Sequence, residues 1–160
     1  MEIASLGYVR LETTKLDEWG AFGTDLLGLM LSDRQPQRMA FRLDDHASRI
    51  VVSAGEHDRI ECSGWELRDA RALEQAATDL DRAGLVYKWG TDADARERQV
   101  ESYLFLDDPA GNHLELYHSA LVSCDPLDLT GVTGFVTGDM GLGHVVLPVD
   151  DVVESLEFYT

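Results

Sequence analysis
The run "DPAGNHLELYH", Asp108 to His118, sets two imidazoles close to the Glu115 carboxylate. On a β-strand His113, Glu115 and Tyr117 share one face, and His118 points to the other. Imidazole and carboxylate are the ligand types of a mononuclear metal site. Two ligands on one strand rarely complete such a site, so the plainer reading is a hydrogen-bonded Glu115 in a pocket without metal. The second candidate is His144 in "GLGHVVL". A histidine beside glycine on a strand can offer a ring nitrogen to a metal. The alternative is an ordinary packed or linker histidine. His46 and His57 sit in polar loops and carry no signal. Cys62 and Cys124 lack ligand spacing, and no Gly-rich phosphate loop, CxxC, GxSxG or HExxH occurs.

These residues need strands to carry them. Ser5–Leu11 alternates and predicts a strand. Leu16, Trp19, Leu26 and Leu27 recur at helical spacing over Lys15–Leu27, with Gly28 as a stop. Short strands follow near Leu29–Ser32, Arg38–Leu43 and Arg49–Ser53, separated by turn residues that include Pro36. The pattern then restarts. Gly64–Arg68 predicts a strand, and Asp69 caps a helix to Ala83 that ends at Gly84. Val86–Trp89, Ser102–Leu106 and His113–His118 supply three more strands. Thr91–Gln99 reads as a loop or short helical turn, and "DDPAGN" as a tight turn.

The chain thus predicts two β-α-β-β-β units, and a third begins at its end. Leu6–Thr24 aligns without gaps on Leu142–Thr160, with identities at Leu6/Leu142, Gly7/Gly143, Val9/Val145, Leu11/Leu147, Glu18/Glu154, Phe22/Phe158 and Thr24/Thr160. In that frame Tyr8 stands opposite His144, and Trp65 takes the same place in unit two. The expected organisation is a metal-free domain over residues 1–118 (modules at about 1–60 and 61–118), a linker over 119–140 and an incomplete module over 141–160. Leu142–Val149 is expected as a strand with Val145, Leu147 and Val149 on one face and Val146 on the other. A helix too short to persist alone should follow it.

Composition narrows the partners. There are 160 residues, with 30 Asp and Glu against 13 Lys and Arg, a formal charge of −17. Such a surface repels phosphate backbones and anionic lipid, which argues against nucleic acid and membrane. No stretch is apolar enough to span a bilayer. "MEIASLGYVRLE" lacks the apolar core of a secretory signal. Two unpaired thiols suit a reducing cytoplasm.

The paired units, together with "SLGYVRLETTKLDEW", "LLGL", "VVSAGEHDRI", "GWEL", "DPAGNHLELYH" and "GFVTGDMGLGHVVL" in this order, resemble the type I extradiol catechol dioxygenases of the vicinal oxygen chelate (glyoxalase/bleomycin resistance/dioxygenase) superfamily. The likeness is greatest to enzymes that cleave bicyclic or steroid-derived catechols. It implies an α+β fold of paired βαβββ modules and a cytoplasmic homo-oligomer. It also implies a catalytic domain holding iron(II) by two histidines and a glutamate, with catechol and oxygen as small-molecule partners. The motif match assigns His144 as one iron ligand and Val146 as a residue lining the substrate pocket. The other ligands and the acid–base histidine belong to modules three and four. No residue of this chain matches them, so no cofactor and no catalytic residue are expected within it. Two other readings stand beside this one: a stand-alone pair of modules that binds a small hydrophobic ligand without metal, and a structural half that mediates subunit contacts.

Overall fold
The computed structural model describes residues 1–160, the side chain of Asp139 excepted. In chain order the elements are β1 (Ser5–Thr13), α1 (Leu16–Ala21), β2 (Met30–Gln35), β3 (Arg38–Arg42), β4 (Ile50–Ala54), β5 (Arg59–Leu67), α2 (Ala70–Ala83), β6 (Lys88–Trp89), α3 (Asp92–Arg98), β7 (Val100–Asp107), β8 (His113–Ala120) and α4 (Val152–Tyr159).

Eight strands form one mixed sheet in the order β2-β3-β4-β1-β5-β8-β7-β6. Its two halves repeat one plan. β1 pairs parallel to β4 as β5 pairs parallel to β8, and the remaining pairs are antiparallel. The halves meet where β1 runs antiparallel to β5. This is the α+β arrangement of paired βαβββ modules expected from the sequence.

The sheet has two chemically distinct faces, because side chains alternate along each strand. The outer face is aliphatic. Leu16 of α1 packs with Met39, Phe41 and Val52. Leu73, Ala76, Ala77 and Leu80 of α2 pack on Leu67, Leu104, Leu106, Leu114 and Leu116. Asp69 caps α2 by accepting from the Ala72 amide at 2.8 Å. Gly84 ends it with φ of +70°, a left-handed conformation that favours glycine. The inner face carries Tyr8, Cys62, Tyr103 and Tyr117, covered by Ala95 of α3.

Several expectations shift. The helix predicted over Lys15–Leu27 is α-helical only to Ala21 and continues as a π-helical turn over Phe22–Leu26. The strand expected over Val86–Trp89 shrinks to Lys88–Trp89, and Thr91–Gln99 holds a true helix capped by the Thr91 hydroxyl. β8 extends to Ala120, into the predicted linker. The segment after β8 is held against the end of β3 and the loop that follows it. The Ala47 amide donates to the Leu121 carbonyl at 2.9 Å, and Arg42 Nη1 donates to the Asp125 carbonyl at 3.1 Å.

The expected strand Leu142–Val149 does not form. Its start makes one bridge, Gly141 beside Leu6, and the rest has no strand partner among the described residues. An extended segment becomes a strand only when a neighbour takes its backbone hydrogen bonds. The alternation nevertheless survives as burial: Val145, Leu147 and Val149 are half-buried, while His144, Val146 and Pro148 are exposed. The helix expected after it is α4, capped by Asp151 through the Val153 and Glu154 amides. No helix among the described residues is long and apolar enough to cross a membrane.

Candidate functional site
Glu115 lies at the middle of β8, between Leu114 and Leu116, and its side chain is fully buried on the inner face. A carboxylate there demands a partner, since an unpaired buried charge is among the costliest defects in a fold. Arg98, the last residue of α3, supplies it. Its Nε lies 2.9 and 2.8 Å from Oε1 and Oε2, and Nη2 donates to Oε1 at 2.6 Å. The guanidinium also stacks on the Tyr103 ring, 4.5 Å from its centroid. From β1 the Tyr8 hydroxyl donates to Oε2. The Tyr8 ring in turn stacks on Tyr117 at 5.0 Å. Thus β1, β8 and α3 converge on one carboxylate.

The electrostatics follow from this packing. Burial alone would push the Glu115 carboxyl up. The hydrogen bonds and charge of Arg98, aided by the Tyr8 hydroxyl, outweigh it and hold Glu115 below the usual glutamate range. Burial, then the Glu115 charge, pushes the Tyr8 phenol well above its ordinary value. Burial and Glu115 likewise raise the Cys62 thiol, so it stays protonated and a weak nucleophile. Both Glu115 oxygens are engaged by protein donors. The cluster is a neutralised, hydrogen-bonded lock, with no free base and no activated nucleophile.

His113 sits at the edge of this cluster. Its Nδ1 lies 2.7 Å from Asp107 Oδ1, and its Nε2 is 3.8 Å from Glu115 Oε1. Its ring rests against Phe105 at 5.1 Å. His118, as its place on the strand requires, faces away from Glu115, with Nδ1 3.0 Å from the Ser119 hydroxyl.

Trp65 corrects the sequence alignment. The repeat alignment puts it in the place of Tyr8. Its neighbours are Leu116 and Leu6, it packs with the α2 cluster on the outer face, and Nε1 donates to Ser63 Oγ at 3.0 Å. The residue opposite Tyr8 is Gly64, which also lies beside Glu115. A slip of one residue moves a strand side chain to the other face. Gly64 is required there, because a β-carbon would collide with the Tyr8 ring. Arg98 was missed altogether. The signal that could have found it is the charge inside "HLELY", which calls for a nearby cation.

His144 and Val146 lie together on the exposed side of the extended segment before α4, well apart from the Glu115 cluster in the chain. Val146 is 79% exposed. Among the described residues, no three His, Cys, Asp or Glu side chains are grouped so as to hold a metal ion. A lone imidazole does not fit an iron(II) site, which takes two histidines and a carboxylate.

Comparison with known proteins gives consistent results. Residues 6–55 match the family described as dihydroxybiphenyl dioxygenase BphC D1. The chain is 38% identical over 160 residues to an iron-dependent extradiol dioxygenase of Rhodococcus jostii (strain RHA1), covering 99% of this chain and 53% of the relative. It is 39% identical over 162 aligned residues to a biphenyl-2,3-diol 1,2-dioxygenase of Paraburkholderia xenovorans (strain LB400), covering 100% of this chain and 54% of that one. A solved catechol 2,3-dioxygenase superposes with a TM-score of 0.94 at 32% identity, over 99% of this chain and 57% of its own. The chain spans about half the length of the curated relatives it matches.

Proposed function
The chain belongs to the extradiol dioxygenase family, and on that premise we propose that it is the N-terminal portion of an iron(II)-dependent enzyme that opens a bicyclic or steroid-derived catechol ring with oxygen. The observation that carries this reading is the likeness along the whole chain to about half of each relative. In this reading residues 1–118 are the metal-free domain, 119–140 the linker and 141–160 the opening of the catalytic domain. His144 is one iron ligand and Val146 lines the substrate pocket. The other histidine, the glutamate and the acid–base histidine belong to sequence beyond Thr160, so the 160 residues alone are inactive. The Glu115 lock supports assigning no metal to the first domain, because its oxygens already serve Arg98 and Tyr8. Free Cys62 and Cys124 suit a cytoplasmic protein, and the complete enzyme is a homo-oligomer with no nucleic-acid or membrane partner.

The test is the reading frame beyond Thr160. It should continue with another histidine and a glutamate in the family motifs. The extended protein, supplied with iron(II) and air, should cleave 2,3-dihydroxybiphenyl, and His144→Ala should abolish that cleavage. A stop codon after Thr160, or normal turnover by the extended variant, overturns the proposal.

A further inference from the structure
The chain leaves β8 and returns to the sheet at one place. On leaving, it is held by the loop between β3 and β4. The Ala47 amide donates to the Leu121 carbonyl at 2.9 Å, and the Ser123 amide donates to the Asp45 carbonyl at 2.8 Å. On returning, Gly141 stands beside Leu6 of β1, and the Leu142 amide donates to the Leu6 carbonyl at 3.0 Å. The Leu142 side chain then packs against the core under α1.

Both sets of contacts meet at Arg49, which is buried just before β4. Its Nε and Nη2 reach Asp44 Oδ2 at 2.8 and 2.7 Å, which closes the loop that holds Leu121 and Ser123. Its Nη1 donates to the Gly7 carbonyl at 2.8 Å, next to the residue that holds Leu142. Gly141 lies against the same guanidinium. A β-carbon there would stand 3.0 Å from Nη1 and collide with the Leu6 carbonyl. Its φ of +64° with ψ of −119° is a conformation that favours glycine. The planar guanidinium offers donors in several fixed directions, so one side chain serves the loop and β1 together.

We propose that Arg49 is a positioning residue: paired with Asp44, it clasps both ends of the 121–140 segment to β1 and so fixes where the chain sets out toward His144. The use of that position rests on the function proposed above, in which His144 is a ligand. The clasp itself is built only from contacts within the 160 residues.

Amide exchange in the 160-residue chain tests the clasp. Asp44 is part-exposed and keeps His46 beside it, so Arg49→Met should stay folded. Exchange at Ala47 and Leu142, at opposite ends of the segment, should speed up together by at least about tenfold, while β7 and β8 keep the parental rates. An ion pair that served general stability alone would lower protection throughout. Gly141→Ala crowds the returning end and removes no charge. There Leu142 should exchange faster by a similar factor, with Ala47 at the parental rate, and this variant carries the test if Arg49→Met misfolds. A parental rate at either amide in Arg49→Met, a uniform loss of protection, or a parental rate at Leu142 in Gly141→Ala overturns the proposal. A stop codon after Thr160 would end the function proposed above and leave these rates as expected, so the two readings fail separately.

Discussion

The Arg98 guanidinium reaches from the end of α3 to both carboxylate oxygens of Glu115, the closest contact being 2.6 Å from Nη2 to Oε1. The two residues lie on elements that otherwise touch mainly through β7, so this ion pair ties α3 to the centre of the sheet. Arg98→Met should cost about 3–5 kcal/mol, because it strands a buried carboxylate. Arg98→Met combined with Glu115→Leu should recover part of that loss, since no buried charge remains, although the Tyr8 hydroxyl is left without its acceptor. Urea denaturation of the two singles and the double gives the coupling. A single variant as stable as the parent would show that the pair does not matter.

Tyr8 and Gly64 form a second coupled pair. Gly64 lets the Tyr8 ring lie flat over β5, which places its hydroxyl on Glu115. Tyr8→Phe keeps the ring and loses one hydrogen bond to a charged group, about 1.5–3 kcal/mol. Gly64→Ala displaces the ring as well, adding an overpacking cost of about 1–3 kcal/mol. Adding Tyr8→Ala to Gly64→Ala relieves the clash and should leave a smaller loss than the two singles summed. Thermal midpoints of Tyr8→Ala, Gly64→Ala and the double variant decide this, and strict additivity would contradict the coupling.

Much of this was legible in sequence, for reasons that can be named. α2 was plain because its apolar stripe, its Asp69 cap and its Gly84 stop are all local signals. The turn before β8 was plain because Asp108 accepts from the Ala110 and Asn112 amides within the turn itself. What failed depended on distant neighbours. Whether Gly64 or Trp65 stands opposite Tyr8 is set by bulges in the β1–β5 pairing, which no local pattern announces. α3 reads in sequence only as a loop or short helical turn because "DADARER" carries no large apolar residue, and its anchoring to the sheet rests on Ala95 and the Arg98–Glu115 pair. Leu142–Val149 has strand chemistry but no strand partner, so alternation persisted where pairing did not.

Stability should depend on pH through His46. Its Nδ1 lies 3.5 Å from Asp44 and its Nε2 3.7 Å from Glu66, with the Arg49 charge opposing them. The Asp44 carboxylate, then that of Glu66, beside the ring raise the imidazole from 6.5 to about 9. A raised pKa in the folded state means that the contribution is complete below 6.5 and is lost as pH climbs through about 9. The difference in thermal midpoint between the parent and His46→Gln should therefore shrink across that window. A constant difference would mean that His46 acts by packing rather than charge.

At the acid end the sign reverses. Hydrogen bonds and charge hold Glu115, Asp44 and Glu66 below their ordinary values, against burial. Their contribution is present above the unfolded carboxylate range and disappears as pH falls through the folded values. Glu115→Gln should flatten the acid limb of the stability profile, at the expense of lower stability near neutrality. An acid limb unchanged in this variant would remove Glu115 from the account.

α4 gives the last prediction. Eight residues are too few for a helix to persist by its own hydrogen bonds, because nucleation costs more than two turns return. Its order must come from contact. Phe158 packs against the α2 cluster beside Leu147, and the Tyr159 hydroxyl holds Asp108, the residue that also shapes the turn into β8. On the other side Val152, Val153 and Leu156 are exposed. Phe158→Ala removes a large apolar contact from one end of a marginal element, whereas the sheet keeps all its pairings. The expected result is local: amide exchange in residues 151–160 speeds up by at least about tenfold, while exchange in β5 and β8 is unchanged. Tyr159→Phe should do the same more weakly and should also quicken exchange at Ala110 and Asn112, whose amides Asp108 accepts. If Phe158→Ala instead lowers protection uniformly across β5 and β8, α4 is part of the cooperative core rather than an element docked upon it.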